Sequence, residues 1–278
     1  MSALIPGVVD QLSPLVRRIV APNPSVMTGP GTNTYLVGNE QIAVIDPGPT
    51  NPEHIDAILQ AGAGRIRWIM VTHTHDDHSP GVAPLLEAIQ AETHGSPAPD
   101  NWHQDTDFKP DVELVDGARL VTDEFSIRAI HTPGHVANHY CLLVEDEGLL
   151  ITGDHIMSGS TVVIIPPSGD MNDYIESLRR LLDENLQALA PGHGDLIADP
   201  RSEIEKLITH RLKREAIVVK ALEQSGGGSL DALVKLAYAE TPVSLHGVAK
   251  LSLEAHLLKL EHDQRAACSD GNWTLLNT

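Results

Sequence analysis

His73-Thr74-His75-Asp76-Asp77-His78 is the stretch on which the reading of this chain turns. It follows Ile66 to Val71, a largely apolar run of strand length. Three imidazoles and two carboxylates are thus expected on a loop at the end of a buried strand. Such loops are where a rigid scaffold presents chemistry. Packing explains them poorly, because burying several unpaired polar rings costs kilocalories each. Imidazole nitrogen and carboxylate oxygen are the donors that zinc and its neighbours prefer.

The same setting recurs three times. Phe125 to Ile130 leads into Thr132-Pro133-Gly134-His135, and Leu149 to Thr152 into Gly153-Asp154. Leu186 to Ala190 leads into Pro191-Gly192-His193-Gly194. A further strand end carries Asp46, in Ile45-Asp46-Pro47-Gly48. The chain has 15 histidines. His54, His94, His103, His246 and His262 lack this setting and read as surface or packing residues.

Strands and helices alternate around these positions. Thr32 to Gly38 and Gln41 to Asp46 read as a hairpin joined at Gly38-Asn39. Asn51-Pro52 caps a helix that Gly62 should stop. Ser79-Pro80 opens another helix, to about residue 91. Residues 93–111 lack periodicity and read as a long loop. Strands follow near 112–115, 119–122, 125–130, 140–145 and 149–152, then a helix over 170–185. This pattern predicts a layered α/β domain over 1–199. Beyond Asp199-Pro200 the composition changes. Three helical stretches, at 201–224, 229–239 and 244–262, precede a hairpin over 265–276. That is the recipe for a winged helix, so 200–278 reads as a small second domain.

The bulk numbers bound the function. The chain has 278 residues, 41% of them hydrophobic and only 3% aromatic, so its core must rest on aliphatic residues. No run approaches the roughly 18–20 apolar residues that span a bilayer. Met1 to Asp10 shows no secretory pattern. Two cysteines, Cys141 and Cys268, make no disulfide framework, and a cytoplasmic location is expected. The formal charge is −19. Residues 1–199 hold 9 Lys+Arg against 28 Asp+Glu and carry all of it. An acidic body discourages loose nucleic-acid binding, which needs cations to neutralise phosphate.

His73 to His78 matches the His-x-His-x-Asp-His signature of the metallo-β-lactamase superfamily, and His135, Asp154 and His193 match its later ligand motifs in order. The chain resembles that superfamily over about residues 15–199. The resemblance implies an αβ/βα sandwich with a binuclear centre. His73, His75 and His135 would hold one metal, Asp77, His78 and His193 the other, and Asp154 would bridge them. Two Zn²⁺ are the expected cofactors, although iron or manganese suits the same ligands. Metals about 3.5–4 Å apart can share a water and lower its pKa to about 7. A bridging hydroxide would then attack carbon or phosphorus. Asp77 could also orient that nucleophile or pass a proton. Asp46 would fix a ligand histidine; the alternative is a carboxylate that merely satisfies its own turn. Asp76 falls at an open position.

Gly31-Thr32-Asn33-Thr34-Tyr35, the Gly153 to Thr161 stretch, His210 to Glu215 and Leu253-x-x-His256-Leu257-x-x-Leu260 narrow the branch. With the winged-helix tail they resemble the β-lactamase-like protein 2 family over nearly the whole chain. Animal members of that family are described as single-stranded-RNA endoribonucleases, and fungal relatives as polyketide thioesterases. His139 fits this branch too, or is a half-buried strand histidine. Asn33, Ser160, Thr161 and Tyr174 are candidates to line the cleft.

The resemblance makes cleavage of a phosphodiester in single-stranded RNA the first expectation. Lys206, Arg211, Lys213, Arg214 and Lys220 could offer a partial cationic stripe. The alternative is a small-molecule thioester, lactone or other carboxylic ester, which suits the acidic body and the apolar loop Val162 to Pro167. A third reading, a nucleic-acid-binding regulator, rests on the winged helix alone. Its reading helix holds Lys250 and Lys259 against Glu254 and Glu261 and no arginine, a poor footprint for DNA. The tail is expected instead to pack beside the active site, shape the cleft or make a homo-oligomer contact. No membrane partner is expected.

Overall fold

The computed structural model describes residues 4–99 and 104–276. His103 lies outside the described residues. The chain divides into two compact units: Met1–Thr132, Asn138–Val162 and Glu184–Arg201 form the first, and Pro133–Ala137, Val163–Asp183 and Ser202–Thr278 the second.

The first unit is built on two sheets. One runs in order β1 (Val9–Gln11), β2 (Val16–Val20), β3 (Asn33–Val37), β4 (Ile42–Ile45), β5 (Ile66–Met70), β6 (Glu92–Gly95) and β7 (Val112–Glu113). The other contains β8 (Arg119–Val121), β9 (Ser126–His131), β10 (Tyr140–Val144), β11 (Leu149–Gly153) and β12 (Ala188–Pro191), with β12 and β8 at its edges. Tyr35, Ile45 and Met70 of the first sheet share a core with Ile127, Leu142 and Ile151 of the second. The opposite face of the first sheet packs on α1 (Pro52–Gly62) and α2 (Val82–Ala88) through Ile55, Ile58 and Leu85. β4, β10 and β11 are nearly continuous apolar runs because both of their faces are covered.

Three local readings are corrected. The segment read as one long loop begins with a strand, β6, parallel to β5 with Trp68 opposite Glu92. Its sequence, Glu-Thr-His-Gly, holds no apolar residue, so only backbone pairing defines it. The helix at Ser79-Pro80 ends at Ala88 rather than near residue 91. Gly62 is the last residue of α1, not its stop, and Ala63 takes the left-handed cap at φ +47°. Asn51 caps the other end as expected, its side chain accepting from the His54 N–H at 3.0 Å.

The second unit contains α3 (Met171–Leu181), nearly all of α4 (Pro200–Ser225), α5 (Leu230–Ala237), α6 (His246–His262) and a hairpin of β13 (Ala266–Ser269) and β14 (Asn272–Leu275). Val218, Leu222, Leu233, Leu253, Leu257 and Trp273 form its core. Residues 163–183, read from sequence within the first domain, cluster with this unit. Gly134 sits where a Cβ would fall 2.3 Å from Tyr174 Cα. Among the described residues no helix is long and apolar enough to cross a membrane.

Candidate metal centre

The β4–α1, β5–α2, β9–β10 and β11–α3 connections and the loop after β12 carry the singled-out residues. Their donor atoms converge into two groups. His73, His75, His135 and Asp154 offer ligand atoms within 4.8 Å of one another, and so do Asp77, His78 and His193. Asp154 also reaches the second group: its Oδ1 lies 3.4 Å from His78 Nε2 and 3.2 Å from His193 Nε2. Asp77 Oδ2 lies 3.2 Å from His193 Nε2 and 3.6 Å from His78 Nε2. Neither group includes Asp76, His54, His94, His246 or His262. His94 instead pairs with Glu92 at 2.7 Å, and His54 meets Thr34 Oγ1 at 2.8 Å.

The outward nitrogens are anchored, which leaves the inward ones to converge. His78 Nδ1 donates to Asp46 Oδ2 at 2.9 Å. His193 Nδ1 donates to the Gly31 carbonyl at 3.2 Å, and His135 Nδ1 to the Val163 carbonyl at 2.8 Å. His73 Nδ1 lies 3.1 Å from Thr72 Oγ1, whose own hydrogen goes to Asp46 Oδ2 at 2.7 Å. Thr72 Oγ1 therefore accepts from His73, and one carboxylate orients a histidine in each group. Asp46 Oδ1 also accepts from the Thr72 N–H at 2.7 Å. Asp46 takes φ +49°, a left-handed conformation that costs a non-glycine residue about 1–2 kcal/mol. Its three hydrogen bonds hold it there.

The electrostatics test whether cations fit. Burial alone would push the His78 imidazole down, yet the carboxylates of Asp77, Asp154 and Asp46 hold it well above its ordinary value. Burial likewise opposes charge on His193, but Asp154 and Asp77 raise it to about 10. Asp154 is held well below the carboxylate range: burial works against this, and His193 and His78 outweigh it. His73 moves the other way, well below its ordinary value, through burial and the neighbouring His78 and His75 rings. The carboxylates thus favour positive charge at these two buried imidazoles, the electrostatic setting that suits a cation. His78 Nε2 is buried with no hydrogen-bond partner. At Gly192 a Cβ would fall 2.7 Å from Asp154 Oδ1 and 2.8 Å from His78 Cε1, so only glycine keeps this space open. The donor set, its inward atoms and its charge all fit divalent metal.

The other candidates separate. His139 is buried, with Nδ1 2.9 Å from Thr132 Oγ1 and its ring centroid 5.1 Å from that of His73, outside both groups. Asn33 is fully buried, and both amide hydrogens go to the Pro191 and Gly194 carbonyls, at 2.8 and 2.9 Å. It clamps the loop that carries His193. Ser160 and Thr161 lie exposed in the loop after β11. Tyr174 is fully buried in the second unit, beneath the Arg211 guanidinium. Thr32, Thr72 and Asn23 escaped the sequence reading. Thr32 lies within the quoted Gly31 to Tyr35 motif, and Thr72 directly precedes the first histidine.

Residues 27–193 match the Metallo-beta-lactamase superfamily, and 229–273 the Beta-lactamase associated winged helix domain. The chain belongs to the metallo-β-lactamase superfamily, whose members are hydrolytic, and it carries that winged helix at its C-terminal end. It is 36% identical to the Beta-lactamase-like protein 2 homolog of Drosophila melanogaster, over 96% of this chain and 94% of the relative. It is 34% identical to the Atrochrysone carboxyl ACP thioesterase of Aspergillus chevalieri, over 93% of this chain and 85% of the relative. The fold also matches a metallo-beta-lactamase family protein from Thermus thermophilus. There the TM-score is 0.77 at 21% identity, over 96% of this chain and 100% of that one.

Proposed function

We propose that this chain is a two-metal hydrolase of a carboxylic thioester or ester. His73, His75 and His135 would hold one cation and Asp77, His78 and His193 the other, with Asp154 between them. Zinc suits these donors, and iron or manganese would also be accepted. When bound, the pair would supply Lewis-acid polarisation and activation of water near neutral pH. Asp46 and Thr72 keep the inner imidazole nitrogens turned inward. Asp77, the one carboxylate of the second group that is partly open to solvent, is placed to orient a nucleophile or take its proton.

One observation carries the choice of substrate. Two of the five basic residues that would have tracked an RNA backbone, Arg211 and Arg214, are spent within the second unit. Arg211 is buried, its guanidinium 5.0 Å from the centroid of the Tyr174 ring. Arg214 lies 4.7 Å from the Tyr238 centroid and donates to the Ala237 carbonyl at 3.2 Å. Lys206 pairs with Glu203. Arginine forks are the strong phosphate readers, and these two face inward. The reading as a nucleic-acid-binding regulator weakens on the same grounds: on α6, Lys250 pairs with Asp231, and Lys259 with Glu215 and Asp263. The similarity to an acyl-carrier thioesterase supports the ester reading.

A parallel assay tests it. An acyl-thioester, a lactone and a fluorescent single-stranded RNA would be offered to the wild type and to Asp77→Ala. Turnover of the thioester or lactone, lost in the variant, is the expected result. Cleavage of RNA alone, lost in the variant, would overturn the ester reading in favour of a nuclease.

A further inference from the structure

The segment before β3 reaches Asp77 through one hydroxyl, and the hydrogen bonds around that hydroxyl fix where its proton points. Thr32 is fully buried. Its main chain is locked: the N–H donates to Asn23 Oδ1 at 2.9 Å, and the carbonyl accepts from the Ala21 N–H at 2.8 Å. The same Asn23 amide donates through Nδ2 to Thr32 Oγ1 at 2.9 Å. Asn23 therefore grips Thr32 twice, and Thr32 Oγ1 is already an acceptor. Its single hydrogen remains to be given, and Asp77 Oδ2 lies 3.3 Å away. That Asp77 oxygen also lies 3.2 Å from His193 Nε2 and 3.6 Å from His78 Nε2. The Asn23 main chain is itself held, because its backbone carbonyl accepts from Thr28 Oγ1 at 2.6 Å.

We propose that Thr32, seated by Asn23, is a positioning residue that holds the Asp77 carboxylate for the second cation. The proposal rests on the two-metal reading above. A carboxylate on a loop can rotate about its last bond. A hydroxyl of fixed direction removes that freedom and keeps Oδ2 turned toward the two imidazoles. The residue beside Thr32 does the same for another member of the group, since the Gly31 carbonyl anchors His193 Nδ1. With Asp46 on His78, each member of the second group has one outside partner that sets its orientation. The Thr32 hydroxyl joins Asn23 to Asp77, so its effect falls on the second cation. Groups of this kind typically contribute a factor of 10–100 to metal affinity.

Zinc titration of the chelator-stripped chain, with a competing indicator, tests this on wild type, Thr32→Val, Thr32→Ser and Asn23→Ala. Valine keeps the volume and removes the hydroxyl. Thr32→Val should weaken one of the two zinc equivalents by about tenfold or more and leave the other at its wild-type affinity. Thr32→Ser should restore it. Asn23→Ala, which frees the hydroxyl to turn away, should weaken the same equivalent. Thr32→Val with both affinities unchanged, or with both weakened alike, would overturn the positioning role while leaving the two-metal reading intact. Failure of Thr32→Ser to restore affinity would also overturn it. A wild-type chain that takes up no zinc would overturn both.

Discussion

Asp154→Ala is expected to lower kcat/KM by at least about a thousandfold, roughly 4 kcal/mol of transition-state stabilisation. Asp154 is the one carboxylate whose donor atom belongs to the first group and also lies within 3.4 Å of two imidazoles of the second. Removing it would take away the proposed shared ligand and leave His78 and His193 with less negative charge between them. The fold should survive, because the side chain contributes nothing to the apolar core. Far-ultraviolet circular dichroism should therefore match the wild type. Asp154→Asn, which keeps the shape and removes the charge, should lose activity as well. Retention of activity within tenfold in both variants would exclude the bridging role.

Gly134→Ala should be strongly destabilising for a single added methyl. Gly134 has φ +135°, beyond the left-handed helical well near +57°. An added Cβ would stand 2.3 Å from Tyr174 Cα and 2.5 Å from its N and Cβ, so backbone rather than a flexible tip would have to move. Strain at such a φ costs about 1–3 kcal/mol, and overpacking against main chain about as much again. Together they predict a fall in Tm on the order of 10 °C. Gly64→Ala is the internal control. It also has a positive φ, at +75°, but its Cβ would meet nothing within 4 Å. Equal shifts in Tm for the two variants would show that the contact with Tyr174 carries no weight.

The candidate donor groups were legible because their residues are rare types in a repeated setting. His73, His75, Asp77, His78, His135, Asp154 and His193 each follow an apolar strand, and all seven fall in the two convergent groups. The groups that orient them were less legible. A threonine hydroxyl does no distinctive chemistry by type, and Thr32 gains its role from Asp77, 45 positions away, and from Asn23. Thr72 gains its role only because it sits between Asp46 and His73.

The same limit explains the misreadings of the fold. β2 was not foreseen, because Arg17-Arg18 interrupts Val16 to Val20. Arg18 is nonetheless buried, since its guanidinium meets Asp10 at 2.8 Å and the Gly194 carbonyl at 3.1 Å. Arg211 and Arg214 show the converse. On a helical wheel they count as exposed charge, but aromatic rings hold them inside their unit. Sequence pattern shows which residues are apolar. It does not show which charges have been given a buried partner.

Metal content tests the central claim most directly. The chain, purified without chelator or reconstituted with zinc and freed of excess ion, would be measured by elemental analysis against protein concentration. About two equivalents of divalent metal per chain are expected, one for each of the two donor groups. A chain that retains none after reconstitution, with its fold intact, would contradict the account.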